Sequence, residues 1–99
     1  MSQTEDAVKE SIMNYVAKRG GAYGYWYVGV TRDVKKDLFK KHNVDKNKVP
    51  WFYKDAFDYS EACRIYEYML KAGFDGDKIP KDIKAKTVYV YRKSRDTRE

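Results

Sequence analysis

The sequence predicts a small α+β domain, and three observations carry that expectation. Apolar residues recur at helical spacing in three stretches, β-favouring residues alternate in three others, and glycine or polar clusters separate them. The expected order is α-β-α-β-α-β, with one domain over residues 1–93 and a charged C-terminal tail at 94–99. A chain of 99 residues holds one domain of this kind with a small core.

Residues 5–18 read as the first helix. Val8, Ile12, Tyr15 and Val16 fall on one stripe, Glu5 and Asp6 open it, and Lys18 and Arg19 close it in agreement with the helix dipole. Gly20 and Gly21 stop it. Tyr23 to Val30 then alternates as a strand, with Trp26, Val28 and Val30 on one face. Thr31 or Asp33 is placed to cap a second helix that runs to about His42 through Val34 and Leu38. After a polar loop at 43–48, Val49 to Lys54 reads as the second strand, with Pro50 near its start.

Asp58 with Glu61 three residues on is a capping-box signal. The third helix follows, carrying Ala62, Ile65, Tyr66, Met69 and Leu70, and Gly73 ends it. Phe74 to Ala85 reads as a loop and Thr87 to Tyr91 as the last strand. The closing RKSRDTRE is charged and has no apolar anchor, which predicts a frayed end.

Composition narrows the function classes. With 21 Lys and Arg against 15 Asp and Glu the formal charge is +6, which draws such a domain to polyanions, whether nucleic acid, an acidic membrane or an acidic protein partner, or else marks a soluble domain that is simply lysine-rich. One cysteine, Cys63, excludes an internal disulfide. No apolar run is long enough for a membrane span, and MSQTEDAVKE lacks a secretory pattern. The expected setting is therefore the reducing cytoplasm, with no membrane partner.

The first and last strands each offer a valine face and a tyrosine face. Trp26, Val28, Val30, Val88 and Val90 are expected under helices; Tyr23, Tyr25, Tyr27, Tyr89 and Tyr91 lie opposite. That second face either packs under the first helix or stays open as a platform for stacking bases. Lysines crowd two regions: Lys35, Lys36, Lys40, Lys41, Lys46 and Lys48 around the second helix, and Lys84, Lys86, Arg92, Lys93 and Arg95 around the last strand. Together they suit a phosphate backbone, or else form solvated faces.

Tyr27-Val28-Gly29-Val30-Thr31-Arg32-Asp33-Val34-Lys35-Lys36 resembles the second half of the GIY-YIG nuclease signature and its following helix, and Ser60-Glu61-Ala62 resembles the opening of a later helix of that family. The resemblance covers about half of the chain. It implies a small three-stranded antiparallel sheet flanked by helices, and metal-dependent phosphodiester cleavage through tyrosines, an arginine and a metal-holding glutamate. Carried over, Tyr27 fits the signature tyrosine. Gly21-Ala22-Tyr23 stands too close to supply the other half, the arginine position falls on Asp37, and the glutamate position on Tyr66. An acid reverses the charge that would face a scissile phosphate, and tyrosine is no substitute for a carboxylate ligand. The departures imply a scaffold that has lost its nuclease activity.

Other chemistry finds little footing. His42 is the only histidine and has no neighbouring cysteine, which suits a solvent-facing or helix-terminal residue better than zinc. No phosphate-binding glycine loop is present, and Asp75-Gly76-Asp77 reads as a turn rather than a calcium loop. No cofactor and no metal are expected.

The leading expectation is a catalytically inactive GIY-YIG-like domain that binds DNA or RNA through Tyr23, Tyr25, Tyr27, Arg32, Lys35, Lys36 and Arg92. A second reading is a protein-binding inhibitor or regulator anchored by Trp51, Phe52 and Tyr53. A third is a nuclease in which Arg32, Arg64 or Glu67 takes over the displaced roles.

Overall fold

A computed structural model describes residues 2–76 and 79–98, with side chains from Glu5 onward. Helix α1 (Ser2–Arg19) buries Val8, Ile12 and Val16, the stripe its sequence predicts. Gly20 (φ 85°) and Gly21 (φ 93°) end it in left-handed backbone that other residues rarely adopt.

The next strand begins three residues later than its alternation suggests. Tyr23–Tyr25 forms a 3-10 turn closed by the Tyr25 amide donating to the Ala22 carbonyl at 3.0 Å, and β1 is Trp26–Thr31. The glycines at 20, 21 and 24 favour a turn over the extended run that tyrosine favours. Tyr23 and Tyr25 therefore do not share the strand face with Tyr27.

Asp33 caps the following segment as expected, its Oδ1 accepting from the Lys36 amide at 3.2 Å. The segment at Lys36–Lys41 is a wide π-helical turn, with the His42 amide donating to Asp37 at 2.9 Å and Val44 to Leu38 at 2.9 Å. Asn43 (φ 55°) takes the left-handed conformation that asparagine tolerates and turns the chain away.

Strand β2 (Trp51–Asp55) precedes helix α2 (Tyr59–Ala72). The Asp58 cap forms, its Oδ1 accepting from the Glu61 amide at 2.8 Å, while Glu61 Oε1 reaches back to accept from the Phe57 amide, one residue before the cap, at 3.1 Å. Gly73 (φ 119°) ends α2. Strand β3 is only Asp75–Gly76, and β4 is Thr87–Arg92.

The sheet order is β2-β4-β1-β3. β4 runs antiparallel to both β1 and β2, and β3 runs parallel to β1. The α+β class is as expected, whereas the sheet is four-stranded and mixed rather than three-stranded and antiparallel. The difference is β3, whose two residues give no periodic signal. Asp77 of the calcium-like triplet lies outside the described residues.

Each face of the sheet has its own core. On one side α1 and α2 cover Trp26, Val28, Val30, Val88 and Val90. Each valine removed from water there contributes about 1.5–3 kcal/mol relative to exposure. Glu5 ties the two helices at their outer surface, accepting from Arg64 Nε at 2.7 Å and pairing with Lys9 at 2.9 Å. On the other side Tyr27, Tyr89 and Tyr91 pack with Leu38 and Val44. The tyrosine face is thus covered, by the segment from Val34 to Val49 and not by α1.

The charged end is pinned rather than frayed. The Arg98 amide donates to the His42 carbonyl at 2.7 Å, and Asn43 Nδ2 donates to the Asp96 carbonyl at 2.9 Å. Backbone hydrogen bonds replace the apolar anchor that the tail lacks. Glu99 lies outside the described residues.

Candidate nucleic-acid interface

The residues expected to bind nucleic acid are divided by the fold. Tyr27 lies at 4% exposure, its ring 5.2 Å from Tyr91 and 4.8 Å from His42. A base cannot stack on it, so Tyr27 leaves the candidate set. Tyr23, stacked on Phe74 at 5.1 Å, and Tyr25, at 64% exposure, stay accessible at the start of β1. Arg92 is paired with Trp26 in the β1–β4 register at that same end, donating to the Arg19 carbonyl at 3.4 Å. Arg32, Lys35 and Lys36 follow the opposite end of β1, roughly 17 Å away along a six-residue strand. Arg32 is held there by Asp82 at 3.2 Å. The expected site is therefore two separate patches with a buried tyrosine between them.

His42 sits at the centre of the buried face and is inaccessible to solvent. Its Nδ1 lies 2.6 Å from the Arg98 carbonyl, which only an N–H can satisfy, so Nδ1 carries the proton. Nε2 lies 2.8 Å from the Tyr89 hydroxyl, and the Tyr91 hydroxyl lies 3.2 Å from Nδ1. Of the two settings the sequence suits, solvent-facing or helix-terminal, His42 takes the second, at the end of the Lys36–Lys41 turn, and is buried there because the tyrosines and the tail supply its partners.

The same face opens at β2. Trp51 and Tyr53 continue the tyrosine row across the register, opposite Tyr91 and Tyr89, and β2 is the edge of the sheet. Tyr53 is 42% exposed. The Trp51 indole donates to the Lys46 carbonyl at 3.2 Å and meets the Phe39 ring edge-on at 5.2 Å. The Lys46 ammonium lies 4.9 Å over the Phe39 ring, a cation–π contact. Around Phe39 a shallow groove is lined by Asp33, Lys35, Lys36, Lys40 and Lys46. Four lysines against one aspartate make the groove a positive channel beside an aromatic edge.

The grouping of Lys35, Lys36, Lys40 and Lys46 is legible in the sequence, whereas their meeting with Phe39, Trp51 and Tyr53 in one surface is not. The signal was present in part: Trp51 and Tyr53 stand two apart in a strand, so they share a face. The missing element was which segment covers the neighbouring tyrosines.

The residues proposed as displaced catalytic groups are not gathered. Arg64 is engaged by Glu5, and α2, which carries it and Glu67, packs on the valine side of the sheet, opposite Tyr27. Asp37 does line a small cavity with Tyr27, Gly29, Lys41 and Tyr89. Among the described residues no three of His, Cys, Asp and Glu cluster as metal ligands, and no helix is long and apolar enough to cross a membrane.

No protein-family model, curated protein or solved structure matches the chain.

Proposed function

We propose that this chain is a non-catalytic nucleic-acid-binding domain whose interface is the lysine groove around Phe39 together with the open aromatic edge at β2. The observation that carries the reading is how these side chains meet: Lys46 over Phe39, Phe39 against Trp51, and Lys35, Lys36 and Lys40 lining the same groove. Phosphates favour the lysines and bases favour the rings. The net charge of +6 supports long-range attraction of the same ligand class.

A GIY-YIG-like scaffold without its catalytic pair is part of this proposal. It is supported by Tyr27, Gly29 and Asp37 lining one cavity, with an acid where that family's phosphate-facing arginine would stand. The test is binding of labelled DNA and RNA across a salt series, with Mg²⁺ and without it. Salt-sensitive binding with intact strands is the expected result. Metal-dependent cleavage would return the nuclease reading. Absence of binding at low salt would favour a protein partner, for which the exposed Phe57 (68%) and Ile83 (83%) offer apolar contacts.

A further inference from the structure

Trp51 and Tyr53 hold their rings parallel: the planes differ by 1° and the centroids lie 6.3 Å apart. Tyr53 is 42% exposed, which leaves part of its ring open to a stacking base. The Trp51 ring is fixed: its indole N–H is committed to the Lys46 carbonyl, and it makes an edge-type contact with Phe39. The aromatic pair is therefore largely pre-formed, which limits the ordering cost of binding.

The aromatic pair also has a charge neighbour. The hydrogen bond that orients Trp51 anchors Lys46, whose ammonium projects over Phe39 into the groove of Lys35, Lys36 and Lys40. The acid on the same strand face, Asp55, accepts from Thr87 Oγ1 at 2.6 Å, so one of its oxygens is already engaged.

We infer that this surface selects single-stranded nucleic acid, one base stacking on the exposed ring of Tyr53 beside Trp51 while the adjoining phosphates follow Lys46 into the lysine groove. A paired base in a duplex has its faces occupied by its neighbours and cannot stack on such a ring without leaving them. This inference rests on the nucleic-acid reading above and adds strand class and mode of recognition.

The experiment compares three labelled probes by fluorescence anisotropy at low salt: a twelve-nucleotide thymidine strand, an abasic strand of equal length, and a duplex of equal length. The abasic strand keeps the phosphates and removes the bases. The thymidine strand is expected to bind most tightly. Tyr53→Ala is expected to weaken it by roughly 5- to 150-fold, the usual loss for one stacked base, and to leave the abasic strand unchanged. Tyr53→Phe retains the ring and is expected to bind as the parent does, which separates stacking from a folding defect; circular dichroism checks each variant. Equal affinity for thymidine and abasic strands, or equal loss for both in Tyr53→Ala, overturns the stacking site while leaving a phosphate-binding surface. Absence of binding to all three probes overturns the nucleic-acid reading and the stacking site with it.

Discussion

Gly29→Ala is the substitution that tests the buried tyrosine face most sharply. Gly29 lies opposite Tyr89 in the β1–β4 register. A Cβ at Gly29 would come within 2.7 Å of Tyr89 Cε2 and closer still to Cζ and the hydroxyl. The clash is with a side chain, but not a free one: Tyr89 is 2% exposed and its hydroxyl is committed to His42 Nε2 at 2.8 Å. Overpacking of this kind costs about 1–3 kcal/mol. Displacing the hydroxyl leaves His42 Nε2 without that partner, a further cost of about 1–3 kcal/mol. The two together amount to about 2–6 kcal/mol, a large share of the roughly 5–15 kcal/mol typical of a small domain. Urea denaturation followed by circular dichroism reads this as a lowered midpoint at unchanged slope. The same substitution made in a Tyr89→Val background, where the ring is gone, is expected to cost little, because alanine is otherwise no worse than glycine in a strand. An equal loss in both backgrounds would refute the reasoning, since the cost would then not pass through Tyr89.

Four further outcomes follow from the geometry. His42→Ala removes the donor to the Arg98 carbonyl and the hydrogen-bond partner of Tyr89, so trypsin is expected to cleave at Arg95 faster than in the parent; an unchanged digestion rate would mean that the tail is not held by His42. Asp58→Ala removes the α2 cap and is expected to lower stability by about 0.5–2 kcal/mol in urea melts. Lys35→Ala with Lys36→Ala is expected to reduce the slope of log affinity against log salt by nearly 2, roughly 0.9 for each phosphate no longer neutralised on a duplex and somewhat less on a single strand; an unchanged slope removes both lysines from the interface. The fourth concerns pH. The Glu5 carboxyl is held below the ordinary glutamate range, first by its bond from Arg64 and then by Lys9. A lowered folded-state pKa contributes stability above the unfolded value and loses it as pH falls through the folded one. Glu5→Gln should therefore melt below the parent near neutrality and alongside it in acid; a constant difference at both would contradict the linkage.

Much of the fold was legible because its signals are local. The α2 helix carries a cap, a periodic apolar stripe and a terminal glycine, and all three act within the segment itself. The β1 and β4 valines announce a buried face by alternation alone. What was not legible depends on partners distant in sequence. β3 is two residues long and exists only because β1 lies beside it. The tail is held by hydrogen bonds to His42 and Asn43, more than fifty residues away in the chain for each side-chain bond, and polar residues give no hint of such an anchor.

The site follows the same division. Strand alternation placed Tyr27, Tyr89 and Tyr91 on one face correctly. It placed Tyr23 and Tyr25 there wrongly, because the turn chemistry of Gly20, Gly21 and Gly24 outweighs the preference of tyrosine for strands. Whether the face was open turned on tertiary packing, and the π-helical turn that covers it gives the ordinary helical pattern in sequence. The open part of the face lies on β2, where Trp51 and Tyr53 read equally well as anchors for a protein.

The most direct test of the account is a two-dimensional ¹H–¹⁵N NMR titration of the chain with a short thymidine strand at low salt. The account predicts shift changes concentrated at Lys35, Lys36, Phe39, Lys40, Lys46, Trp51 and Tyr53, including the Trp51 indole N–H, with Tyr27 and the other buried tyrosines little affected. Changes confined to Tyr23, Tyr25 and Arg92, or none at any ratio, would contradict it.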